Sequence, residues 1–427
     1  FRHAVSLSFI PEDLVSQSSE SAHRLDVTHQ FLGNGGVGVC DSGGHDTNID
    51  QCRCLGAHCR KYPVCCRVRY SFSHWIPPQT FHYESPFKSR SHIIMTLRAM
   101  VIGLCLAAVA CQQPVTPTRV ERTVFLMGTL ATFVVESLDR PSSVERLDQM
   151  VRLIEETEAD LSTWREDSLL SQFNRQPVGS WLNVPRPVCS VLNQVAYWHE
   201  ETDGAFDPVV GALMEAWSLR GDGRQPNAEE LAVARGRSGF HHVRIDSENC
   251  ALSRAVDAAI DAGGFGKGAA LDRVRQATRD EPGSWLIDFG GQVAVSSNAG
   301  HGGWSIAVAH PEFRDVPILE LDLDEGSVAT TGGSERDIVT ANDVRLGHVI
   351  DPQTGETVSR PGSVTVWHHD ALVADMLSTA LYVMDAQDAV RWSEARGIAA
   401  YFANVNLETG VVDRTATEAF SARFLSE

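Results

Sequence analysis

The residues best suited to chemistry are gathered in Asp261-Ala-Gly-Gly264-Phe-Gly-Lys267-Gly268. This stretch follows the apolar run 255–260 and opens a helical pattern through Leu271 and Val274. Glycines at a helix N-terminus let backbone N–H groups approach an anion closely, where the helix dipole also favours negative charge. Lys267 is followed by Gly268 rather than Ser or Thr, and the glycine spacing is not that of a dinucleotide turn. Both common phosphate-loop patterns are thereby excluded. Taken alone, such a turn is more often structural. Lys267, however, is the only lysine after residue 94, every other basic side chain there being arginine. A compact ammonium charge in a glycine turn suits a phosphate, against the alternative of a surface lysine left by chance.

A second group lies at Asp375-Met-Leu-Ser378-Thr379. Residues four apart share a helix face, so Asp375 and Thr379 together could hold a hard cation that also grips phosphate oxygens. Spacing alone is satisfied as well by a helix acid and a core threonine. In Gly347-His348-Val-Ile-Asp351-Pro352-Gln-Thr354-Gly355, the Asp-Pro-x-x-Gly portion is turn chemistry needing no functional reason. His348 is expected on a strand just before that turn. His241-His242 and His368-His369 have no third ligand nearby and are expected to be solvated. The segment 327–333 is expected to be a small-residue turn that either wraps a ligand or joins strands. Cys189 and Cys250 are open to either reading, a disulfide or two buried thiols.

The elements that position these groups are legible from periodicity. Residues 123–136 read as a strand pair or one bent strand with Gly128 at the bend. Residues 143–161 form an amphipathic helix with Leu147, Met150, Val151, Ile154 and Leu161 on one face. A second helix is expected over 187–202, with Pro187 in its first turn and Val188, Val191, Leu192 and Val195 inward. Beyond Gly239, strands are expected at 242–246, 285–288, 304–310, 318–323, 363–367 and 399–405, with helices at 267–278 and 370–384. That order predicts α+β layers rather than a doubly wound parallel sheet.

The chain has 427 residues and a formal net charge of −19, and no basic stretch offers nucleic acid a surface. Residues 1–94 differ from the rest: near neutral, and holding eight of the 16 histidines and six of the ten cysteines. The thiols Cys40, Cys52, Cys54, Cys59, Cys65 and Cys66 match no usual zinc spacing. We read 1–94 as no functional domain, upstream sequence carried by a start placed too early. Met95-Thr-Leu-Arg98, the apolar run to Ala110 and Cys111 then form a lipoprotein signal over 95–111, with Cys111 lipidated. The run is too short to span a bilayer, which needs about 20 residues. Residues 112–120 would be a tether, and 121–427 a single domain.

In order along the chain, these motifs resemble the ApbE family of flavin transferases. The matching stretches are Met127-Gly128-Thr129, Leu161-Ser-Thr-Trp164-Arg-x-Asp167-Ser168 and Gly204-Ala205-Phe206-Asp207-Pro-Val-Val-Gly211. They continue with 261–272, 286–291, Val328-Ala-Thr-Thr-Gly332, 347–355 and 374–381. Trp164 departs from a frequent tyrosine and Phe265 from a small aliphatic residue, which predicts a tighter turn. The resemblance implies a single compact, T-fold-related α+β domain with mixed sheets and packed helices.

It further implies transfer of FMN from FAD, the substrate, to a threonine of a target flavoprotein, with release of AMP. Carried over, Asp375, Thr379 and the Gly264 carbonyl would hold Mg²⁺. Met127, Trp164, Ala205, Phe206, Asp207, Asp261, Lys267, His348 and Val349 would line the FAD site. His348, Asp375 and Lys267 would carry the transfer. The lipid would hold the domain at the periplasmic face of a bacterial membrane, inner or outer. Two rivals keep the site: an FAD pyrophosphatase using water as acceptor, and a non-catalytic FAD-binding lipoprotein. A third is an unrelated extracytoplasmic scaffold.

Overall fold

A computed structural model describes residues 118–137, 139–297, 302–333, 337–340 and 345–425, all within one compact unit. The segment 1–94, the signal at 95–111 and Cys111 lie outside the described residues. The chain opens with β1 (Thr118–Leu126) and β2 (Thr129–Ser137), then α1 (Arg140–Leu161), α2 (Leu169–Arg175), β3 (Leu182–Asn183) and α3 (Arg186–Glu201). The helices α4 (Gly211–Ala216) and α5 (Ala228–Gly236) follow, then β4 (Val243–Asp246), β5 (Ala251–Arg254) and α6 (Gly266–Ala277). Next come β6 (Ser284–Phe289), β7 (Gln292–Ser296), β8 (Trp304–Ala309), β9 (Pro317–Leu323) and β10 (Glu325–Gly332). Four two-residue strands, β11 (Ile338–Val339), β12 (Arg345–Leu346), β13 (Val349–Ile350) and β14 (Thr357–Val358), precede β15 (Gly362–His368). The chain closes with α7 (Ala371–Val383), α8 (Ala386–Arg396), β16 (Ala399–Val405), β17 (Val412–Ala416) and α9 (Glu418–Phe424).

Eight strands form the main sheet in the order β1-β2-β6-β7-β10-β15-β16-β17. Every ladder in it is antiparallel, so the mixture in this α+β fold is of helices with sheets rather than of strand directions. Successive side chains of a strand point to opposite faces. On β6, Trp285, Ile287 and Phe289 therefore enter one core with α1 and α6, while Leu286 enters another with β8, β9 and Phe420. Burial on both faces is why these strands read as continuous apolar runs.

The expected elements are present, with four adjustments. Residues 123–136 are a strand pair whose turn is Met127-Gly128, both at positive φ. β1 begins at Thr118, so residues 118–120, read as tether, are strand. The segment 327–333 is no turn: it lies largely in β10, paired with both β7 and β15. His348 sits at a bend immediately before β13 rather than on a strand. Small hydroxyl residues obscured the first of these central strands, and turn geometry on both sides displaced the histidine. Leu147, Met150, Val151, Ile154 and Leu161 are all buried along α1, as their spacing requires. Among the described residues, no helix is long and apolar enough to cross a membrane.

Candidate functional site

The helices α6 and α7 cross where Gly268 meets the start of α7. A Cβ there would stand 2.5 Å from the Ala371 carbonyl oxygen and 2.6 Å from Leu372 Cα, so only glycine permits the approach. Each helix then supplies a carboxylate to the other's unpaired N-terminal donors. Asp272 of α6 accepts from Ala371 N (2.8 Å) and Leu372 N (3.1 Å), and Asp375 of α7 accepts from Gly268 N (2.9 Å). First-turn N–H groups have no partner within their own helix, and the dipole there favours an acid. Burial pushes the Asp272 carboxyl up from its ordinary value, against these backbone bonds and Arg275.

One donor of the glycine turn is thereby taken: the Gly268 amide is bonded to the protein's own Asp375. Lys267 then points at the other oxygen of the same carboxylate, Nζ to Oδ1 being 3.3 Å, with both side chains largely buried. Thr379 donates its hydroxyl hydrogen to the Asp375 carbonyl (3.2 Å), which leaves its oxygen lone pairs available. A Cβ on Gly264 would lie 3.4 Å from Thr379 Oγ1, so turn and helix face are adjacent. The Asp375 carboxylate and the Thr379 hydroxyl, with the Gly264 backbone adjacent, offer hard oxygens of the kind magnesium accepts with substrate oxygens completing its shell. Among the described residues, no three His, Cys, Asp or Glu side chains gather as a metal cage.

These residues line one side of a cleft of about 280 Å³. Trp164, Ala205, Phe206, Asp207, Asp261, Gly264, Lys267, His348, Val349, Asp375 and Thr379 all face it, drawn from five separated stretches of sequence. Met127 does not line it. Its Cε packs behind the turn, 3.2 Å from where a Gly266 Cβ would be, and its N–H donates to Glu158.

Asp207 contributes shape more than charge. Its two carboxylate oxygens accept from Val209 N and Phe240 N, both at 2.8 Å, with His199 Nδ1 3.4 Å away. Burial raises its pKa, with His199 and the backbone bonds opposing. His199 also bonds the Phe206 carbonyl (3.1 Å), and Thr202 Oγ1 accepts from Phe206 N, so the Ala205–Asp207 loop is tied down from behind. Asp261 is held likewise: Oδ1 accepts from Gly263 N (2.8 Å), and Oδ2 accepts from Arg220.

Arg220 was missed in the sequence. It donates to the Thr163 carbonyl (2.8 Å) and hydroxyl (2.7 Å), and its guanidinium lies 5.1 Å from the Trp164 ring centroid. One arginine among many in this chain carries no local signal. Gly290 and Gly291 form the tight β6–β7 turn at positive φ and also face the cleft, beside Thr330 and Thr331 of β10. Thr331 Oγ1 bonds Ser378 Oγ (2.8 Å), tying the sheet to the Asp375 helix.

The remaining sequence candidates are structural. Cys189 and Cys250 are free and buried, and burial raises the Cys189 thiol. His241 is exposed, as expected, but His368 is partly buried and its Nδ1 accepts from Asp370 N (2.9 Å), so it is not a solvated side chain. Burial lowers its pKa. Asp351 caps its own turn, accepting from Gln353 N (2.9 Å). Phe265, expected to tighten the glycine turn, is completely buried in the core behind it.

A family model described as "ApbE family" matches residues 127–402, more than half of the chain. An FAD:protein FMN transferase from Escherichia coli K12 is 28% identical over 321 residues, covering 71% of this chain and 91% of that protein. One of the same name from Treponema pallidum is 28% identical, covering 72% and 91%. The solved ApbE protein of Thermotoga maritima superposes with a TM-score of 0.66 at 32% identity, covering 72% of this chain and 99% of that one. The apo flavinyl transferase ApbE of Pseudomonas stutzeri gives 0.66 at 28% identity, covering 74% and 100%.

Proposed function

The chain belongs to the ApbE family, and from that premise we propose that it is a magnesium-dependent FAD:protein FMN transferase. It moves FMN from FAD to a threonine hydroxyl of a target flavoprotein and releases AMP. The observation that carries this reading is the convergence of five separated stretches on one cleft, with Asp375, Thr379 and Lys267 side by side in it.

The diphosphate of FAD is anionic, and phosphoryl-type transfer demands mainly charge neutralisation and alignment. Asp375, Thr379 and the Gly264 carbonyl would hold Mg²⁺, which when bound draws charge from the phosphate oxygens. Lys267 adds a fixed cation on the same side. The exposed face of Trp164 offers a stacking surface for a flat ring, and Val349 with Ile350 an apolar one. Asp207 and Asp261, both tied down by backbone donors, keep the intervening wall in shape. His348 takes the proton of the attacking hydroxyl. Lipidation at Cys111 would hold this domain at the periplasmic face of a bacterial membrane.

The test incubates the protein with FAD, Mg²⁺ and a candidate flavoprotein subunit, followed by intact-mass analysis and AMP determination. The expected result is one FMN added to the partner, AMP released in equal amount, and both lost in Asp375→Ala. Free FMN with AMP in the absence of any partner would replace transferase by pyrophosphatase. FAD bound without AMP would leave a binding lipoprotein. Recovery of the protein in the membrane fraction, lost in Cys111→Ala, tests the anchor.

A further inference from the structure

His348 faces the cleft, and its ring is held from behind by a residue that neither the motifs nor their spacing indicated. Asp337 Oδ1 lies 3.3 Å from His348 Nδ1, and the Asp337 side chain is only 3% exposed. The backbone beside the histidine is fixed too. Gly347 N donates to Ser359 Oγ (2.9 Å), and a Cβ on Gly347 would fall 1.9 Å from the Val358 carbonyl oxygen. The backbone entering His348 is thus fixed at Gly347, and its ring meets Asp337 through Nδ1. Among the described residues nothing bonds its Nε2.

We propose that Asp337 is a positioning residue for the transfer, holding His348 with its hydrogen on Nδ1 so that Nε2 is the base toward the cleft. This rests on the transferase reading above. An ionised carboxylate only accepts hydrogen bonds, so the nitrogen facing it must carry the hydrogen, and the neutral ring then has its lone pair on Nε2. In the step so served, the acceptor threonine Oγ forms a bond to the FMN-side phosphorus. The bond from that phosphorus to the bridging oxygen breaks, and AMP leaves with that oxygen and its electron pair. The proton of the hydroxyl passes to Nε2, and the resulting imidazolium is stabilised by Asp337 before it returns the proton to solvent. The same arrangement of carboxylate, imidazole and hydroxyl recurs on unrelated folds where a hydroxyl is made a nucleophile.

The competing use of Asp337 is as a partner for Arg345, whose Nε lies 3.4 Å from Oδ2. The two contacts are of similar length, but Arg345 is 58% exposed, the setting of a surface pair that contributes little, whereas the His348 side chain is only 26% exposed. The buried carboxylate is thus better explained by the histidine.

Nitrogen-15 spectra of the histidine-labelled full chain read the tautomer directly, with His348 assigned by its loss in His348→Gln. Wild type is expected to show hydrogen on Nδ1, whereas Asp337→Asn and Asp337→Ala shift His348 toward the Nε2–H form that a histidine side chain prefers in water. In the transfer assay Asp337→Asn is expected to lower kcat by roughly 10²–10⁴-fold while the Kd for FAD stays within about twofold. Arg345→Gln leaves both tautomer and kcat unchanged. Hydrogen on Nε2 in wild type, or an unchanged kcat in Asp337→Asn, overturns the proposal. A wild-type protein that binds FAD but transfers nothing would sink the transferase reading instead, and the spectra would still decide the role of Asp337. The asparagine keeps the side chain's shape, so a folding defect confined to the alanine variant does not obscure the result.

Discussion

Two walls of the cleft are built on opposite principles. The wall carrying Lys267 and Asp375 consists of helix ends locked by backbone contacts: Gly268 against Ala371 and Leu372, Asp272 and Asp375 each bonded to the other helix's N–H groups. Elsewhere on the cleft, Trp164 is 70% exposed on a loop, held by the forked guanidinium of Arg220. On the proposed reading, the groups that would meet a phosphate or cation are placed where a methyl group would not fit. Those that would meet a flat ring are placed by side-chain contacts alone. The difference matches what each must do, since charge stabilisation depends on fixed distance and stacking tolerates sliding.

Breaking the rigid wall should have the largest effect. Gly268→Ala forces a methyl group into backbone, and we expect a loss of about 3 kcal/mol in stability together with loss of AMP formation by about 10³-fold or more. Thermal melts and the transfer assay measure the two, and near-normal kcat in this variant would show that the helix wall is not rigid. Disturbing the adaptable wall should cost less and act on a different parameter. Arg220→Met removes the clamp on Thr163 and Trp164, and KM for FAD should rise about tenfold with kcat within about twofold. A fall in kcat at constant KM would move Arg220 into the chemistry and erase the contrast.

The smallest effect is expected at Asp288 on β6, which belongs to neither wall. Burial alone pushes its carboxyl up to about 7. A raised acid binds its proton more tightly folded than unfolded, so its stability cost appears as pH climbs from the ordinary carboxylate range through about 7 and is complete above that. Asp288→Asn removes that cost, and its Tm advantage over wild type should be roughly 2–4 °C greater at pH 8 than at pH 5. An advantage independent of pH would mean that Asp288 does not hold a proton in the fold. The result also shows how far a pure stability change moves Tm without moving KM.

Much of the frame was legible in the sequence, and the reasons are local. The α1 stripe, the Asp351 turn and the strands β1, β2, β6, β15 and β16 of the main sheet follow from periodicity and turn residues, whereas β7 and β17 were not among the expected strands. What failed was read from local chemistry where a distant residue decided. Residues 327–332 look like a turn, but strands on both sides make them the middle of a sheet. The amides of the glycine turn look open from the sequence, but Asp375, 107 residues away, occupies that of Gly268. Arg220 and Asp337 gave no signal because nothing in their own neighbourhoods marks them.

By itself, the sequence determined which side chains could carry the chemistry and which helices and strands would display them, because residue type and spacing act within a few residues. Tertiary structure alone decided which carboxylate meets which amide, that Lys267 faces Asp375, that Asp337 backs His348 and that Met127 stands behind the cleft. Those contacts join residues from 11 to more than 100 positions apart. They exist only where packed helices and paired strands bring distant backbone together, and no local pattern encodes that meeting.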